Sequence, residues 1–187
     1  QAKTAVALDD SNASGHMTLG FVYSWKKEYD KGIAENERAV ELEPGAAVTW
    51  FSLGRALDYA CRHEEAIELF KKAIRMNPIG STVYYFHLGN AYFNVGRCEE
   101  GISAHKKALE LSATNFAAHR GLAACYAQLG RNEEAPFHAQ EVLKYNPKSS
   151  VAGYVQQAPW KEATLTARWA ESLRKAGLPE KPPLPLP

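Results

Sequence analysis

The sequence predicts an all-α fold, an α-α solenoid of about four paired-helix repeats with a C-terminal capping helix, and three observations predict it. The stretches "LGFVYSWKKEYDKGIAENERAVELEP" (19–44), "LGRALDYACRHEEAIELFKKAIRMNP" (53–78), "LGNAYFNVGRCEEGISAHKKALELSA" (88–113) and "LAACYAQLGRNEEAPFHAQEVLKYNP" (122–147) align without a gap. The interval from Gly20 to Gly54 is 34 residues, from Gly54 to Gly89 it is 35, and from Gly89 to Ala123 it is 34; the extra residue falls in "NPIGST", a loop signal. Each copy also divides into two helical halves, and Pro44, Pro78 and Pro147 stop the second, because proline lacks the N–H and biases its predecessor away from helix.

Residues 1–12 read as the second-helix remnant of a preceding repeat, since Ala5, Val6 and Leu8 match Ala39, Val40 and Leu42; this predicts a fragment of something larger. Four units follow at 13–46, 47–81, 82–115 and 116–149. Gly20, Gly54, Gly89 and Ala123 lie on the first helix of each pair, and Gly32, Ala66, Gly101 and Ala135 on the second. A helical glycine costs about 1 kcal/mol against alanine, so its recurrence implies close contact between axes that returns more than this. A pair this short cannot bury its apolar faces alone, so neighbours stack into a right-handed superhelix with a concave and a convex side. Residues 150–179 read as a degenerate half-repeat, "SSVAGYVQQAP", and a capping helix at 162–177 carrying Leu165, Trp169, Leu173 and Ala176 before the stop signal of Gly177 and Pro179. The remainder, 180–187, is a proline-rich tail of polyproline II type, and Leu184 and Leu186 are expected to dock on an aromatic surface.

The repeats resemble the tetratricopeptide repeat (TPR), whose marks stand at Leu19, Gly20, Tyr23, at Leu88, Gly89, Tyr92, in variant form at Leu122, Ala123, Tyr126, and in the second half at Ala66, Phe70, Ala73, Pro78. Departures are Leu57 for the tyrosine, Asn36 and His105 for the large apolar residue of the second helix, and Ala113 for the closing proline. The resemblance implies a right-handed TPR superhelix with a ligand-binding concave groove. It assigns to that groove Met17, Phe21, Ser24 and Trp25, then Phe51, Arg55, Asp58 and Tyr59, then Phe86, Asn90, Phe93 and Asn94, and finally Arg120, Ala124 and Gln128. Tyr85, Leu88 and Tyr92 fall on the other face of their helix and read as core. The Lys and Asn of the carboxylate clamp found in chaperone-binding members are replaced by Met17 and Phe21, which argues against an acidic chaperone tail. The tail "ARWAESLRKAGLPE" resembles repeat regions of bacterial signalling proteins that carry a class III nucleotide cyclase domain.

Composition narrows the function. With 22 basic and 21 acidic residues there is no field suited to nucleic acid, and no apolar run is long enough for membrane insertion. "QAKTAVALDD" lacks the marks of a signal peptide, so a cytoplasmic location is expected. Cys61, Cys98 and Cys125 form no Cys-x-x-Cys pair and read as packing residues, and the histidines are scattered, so neither metal nor cofactor is expected. No nucleophile triad or phosphate loop is present, and the expected protein is not an enzyme. The predicted function is a protein-protein interaction module binding a peptide or helix in its groove, within a larger bacterial signalling or scaffold protein. Alternatives are a homo-oligomeric self-assembly scaffold and the regulatory C-terminal segment of a cyclase-type enzyme.

Overall fold

The computed structural model describes residues 11–78 and 82–182, and the regular elements among them are all helices. The expected remnant at 1–10 and the docking of Leu184 and Leu186 lie outside the described residues. Two compact units are formed. The first holds residues 11–78 with Pro159–Lys161, the second 82–158 with 162–182.

In the first unit, α1 (Ala13–Trp25) pairs with α2 (Tyr29–Leu42), and α3 (Ala47–Tyr59) with α4 (His63–Met76); α3 also packs on α2 and α1. In the second, α5 (Thr82–Asn94) pairs with α6 (Cys98–Leu111) and α7 (Phe116–Gln128) with α8 (Glu134–Tyr145), α7 packing on α6 and α5. The short α9 (Val151–Gln156) then leads to α10 (Ala163–Lys175), which packs on α9 and on α7.

The first helix of every pair ends by one device. Lys27, Cys61, Gly96 and Gly130 have φ of 62°, 65°, 84° and 71°. The next N–H reaches back across the turn in each case: Glu28 to Tyr23 O, Arg62 to Leu57 O, Arg97 to Tyr92 O and Arg131 to Tyr126 O, at 2.8–2.9 Å. This is the left-handed helix stop that glycine fills without steric cost; Lys27 and Cys61 fill it against their Cβ. The same stop closes α10, where Gly177 has φ 90° and Leu178 N–H donates to Leu173 O.

Close packing inside each pair depends on the small residues. A Cβ added at Gly20 would lie 2.1 Å from Asn36 Nδ2, one at Gly54 2.9 Å from the Phe70 ring, and one at Gly89 2.6 Å from the His105 ring. Asn36, Phe70 and His105 thus occupy one register position and fill the hollow that a glycine leaves on the facing helix. Phe70 does so with hydrocarbon and is fully buried among Ala66, Ile67 and Ala73. Asn36 donates to Gly32 O at 2.7 Å, which satisfies its amide nitrogen. His105 is fully buried and, among the described residues, neither ring nitrogen has a hydrogen-bond partner; burial, then Arg120 and His138, holds its pKa down at about 3.

Candidate functional site: the inner faces of the first helices

Helices α1 and α3 carry the predicted groove residues of the first unit. Phe21 and Trp25 are 37% and 45% exposed and meet edge to face at 5.9 Å. Trp25 also meets Tyr59 at 6.4 Å. Between the two helices, the Arg55 guanidinium lies 4.5 Å from the centre of the Phe21 ring and 5.6 Å from that of Phe51. Among the described residues Arg55 has no hydrogen bond or ion pair, and burial pushes its guanidinium below the usual arginine value. Met17 is half-buried.

Four of the predicted groove residues in this unit are closed by the chain itself. Phe51 is 5% exposed because it turns into its own hairpin, 5.7 Å from Phe70. Ser24 is buried with its hydroxyl donating to Gly20 O. Asp58 contacts His63 Nδ1 at 2.6 Å and accepts from Trp160 Nε1 at 3.4 Å. Tyr59 is capped by the strap Pro159–Lys161, whose Lys161 N–H donates to Tyr59 O, while Tyr29 ties the strap by donating to Pro159 O. Nothing in the sequence around Trp160 showed this strap, since a three-residue stretch has no periodicity.

The second unit repeats the theme. Phe93, expected in the groove, is 1% exposed because Trp169 of α10 lies on it at 4.1 Å. Asn94 is buried and accepts from Trp169 Nε1 at 2.8 Å, while Arg168 donates to the backbone carbonyls of Phe93 and Asn94. Asn90 and Ala124 are buried too, and Gln128 accepts from Ser172 of α10. The expected split of α5 into a core face and a free face is therefore corrected: Leu88 and Tyr92 are buried, Tyr85 is only half-buried, and Asn90 and Phe93 are more enclosed than Tyr85.

A cleft of about 350 Å³ opens in this unit. Phe86 and Arg120 line it with Phe116, Lys148 and Tyr154, and Arg120 stacks on Tyr154 at 4.8 Å. Phe116 and Tyr154 escaped sequence reasoning because they stand outside the inner register of the repeats. Of the fifteen expected groove residues, Phe21, Trp25 and Arg55 are thus brought together in one unit and Phe86 with Arg120 in the other.

Stacked helical hairpins with small residues at each crossing and a left-handed stop in each turn define a class of repeat proteins. The chain belongs to the tetratricopeptide-repeat family, whose pattern matches residues 11–78 and again 95–158, together more than two thirds of its length. Among curated relatives it is 33% identical over 67 residues to the peroxisomal targeting signal receptor of Candida albicans, 36% of this chain and 11% of that protein. It is 25% identical over 138 residues to the tetratricopeptide repeat-containing protein trd-1 of Caenorhabditis elegans, 74% of this chain and 13% of that one. The chain thus spans only a small part of either relative. Among solved structures it resembles a MamA structure at 30% identity and TM-score 0.59, over 72% of this chain and 79% of that one. It also resembles YrrB, described as a TPR protein with an unusual peptide-binding site, at 20% identity and TM-score 0.61, over 94% and 90%.

Among the described residues no three His, Cys, Asp or Glu side chains are grouped to hold a metal ion, and no helix is long and apolar enough to cross a membrane.

Proposed function

We propose that this chain is a protein-interaction module that binds a peptide or helix on the inner face of α1 and α3. One observation carries the reading: Phe21 and Trp25 remain solvent-exposed on a face whose neighbouring positions are closed by the chain's own segments. Large aromatics beside an arginine are the composition of interface anchors, and a fixed helical pair holds them before a partner arrives, which lowers the ordering cost of association. The repeat family supports the same reading, as does the peptide-binding site for which YrrB is described.

The test is selection of short random peptides, displayed as N-terminal fusions, on the wild-type protein and on a Phe21→Ala, Trp25→Ala variant with matched far-UV circular dichroism. Peptides enriched on wild type are expected to lose at least about tenfold in affinity on the variant, the scale of a truncated anchor. Equal affinities would remove this face from the function.

A further inference from the structure

We infer that the partner segment presents a side-chain carboxylate, from an internal Asp or Glu next to a large apolar residue, to the Arg55 guanidinium. The inference rests on the reading of the α1–α3 face as a binding surface and names the chemistry that face selects.

Arg55 is a fixed positive charge, since a guanidinium stays protonated in proteins even when burial lowers its value. It is half-buried between the Phe21 and Phe51 rings, with its nearest acidic neighbour on α3, Asp58, engaged by His63 and Trp160. Stacking on aromatic faces offsets part of the desolvation of a guanidinium, but it leaves the in-plane N–H donors unused. Among the described residues those donors have no acceptor. Charge complementarity therefore asks for an anion, and the fork geometry of arginine fits a carboxylate with two parallel hydrogen bonds. The walls determine what stands beside it: Phe21 and Trp25, both exposed, offer hydrocarbon to a large apolar neighbour of the acid. One stacked guanidinium takes one carboxylate, which differs from the clamp that holds an acidic tail through lysine and asparagine at positions here occupied by Met17 and Phe21.

Peptides selected on the wild-type protein are resynthesised with amidated C termini, so that no terminal carboxylate is present. They are expected to share an Asp or Glu adjacent to Trp, Phe, Leu or Ile. Replacing that glutamate by glutamine in the peptide is expected to weaken binding by about ten- to a hundredfold, the range of a hydrogen-bonded charge. With Arg55→Met, which keeps the stem, the same replacement is expected to have almost no effect; with Arg55→Lys part of the discrimination returns. Should Arg55→Met lose helical content, the wild-type ratio at rising salt decides, because a charge-based ratio falls with ionic strength and a constant one overturns the assignment. Peptides that bind wild type, fail on the Phe21→Ala, Trp25→Ala variant and show no acidic preference leave the surface standing and overturn the role of Arg55. Failure to enrich any peptide over that variant overturns both.

Discussion

His105 shows how one side chain can couple packing to pH. Its ring fills the hollow over Gly89 and also closes on Gly121, where an added Cβ would come within 2.1 Å of Nε2. The folded chain refuses a proton there until about pH 3, whereas the unfolded chain takes one up below the ordinary histidine value of about 6.5. Stability from this group is therefore complete above about pH 6.5 and falls as pH drops towards 3, by about 1.4 kcal/mol per pH unit. His138, held down to about 4 by burial and then by His119 and Lys106, adds a second, narrower contribution of the same sign. His105→Phe, which places there the residue found at Phe70, is expected to flatten the fall in urea midpoint between pH 7 and pH 4.5. At pH 7 it is expected to be more stable than wild type by about 1–2 kcal/mol, because two partnerless buried nitrogens are removed. An unchanged pH slope would show that other groups carry the acid sensitivity. The departure at His105 was visible in the sequence; its consequence was not, since a histidine's pKa depends on the atoms around it and not on its register.

At the scale of elements, α10 decides how much of the inner face of the second unit is available. Leu165, Trp169 and Leu173 form its buried stripe, and Arg168 fixes it to the end of α5 through two backbone carbonyls. Trp169→Ala removes a side chain that is 1% exposed, a change that typically costs about 3–5 kcal/mol. The expected outcome is faster amide exchange through α10 and at the end of α5 around Phe93 and Asn94, together with binding of a hydrophobic dye to the uncovered Phe93. Unaltered exchange at Phe93 would mean that α10 does not hold that surface closed. The helix itself was legible from its spacing of apolar residues and the Gly177 stop. The surface it covers was not legible, because an apolar stripe specifies that a helix must pack and leaves open on what.

At the scale of the whole molecule, repeat proteins are stabilised by each hairpin and its nearest neighbours, so damage is expected to stay local. Phe70 is the fully buried centre of the α3–α4 hairpin. Phe70→Ala is expected to lower protection against hydrogen exchange most strongly in α3 and α4, while α7 and α8 keep nearly their wild-type protection. Uniform loss throughout would show that the chain unfolds as one cooperative body.

By itself the sequence determined the repeating hairpins and the positions of their small residues and proline stops, because these follow from helical periodicity and local backbone preference, while the resemblance to the repeat family put Phe21, Trp25 and Arg55 on one face. Only the tertiary structure decided which of the inner-face residues stay open. The strap at Trp160 and the helix at Trp169 close Asp58, Tyr59, Phe93 and Asn94, and contacts between residues some 75 to 102 positions apart leave no periodic trace in the chain.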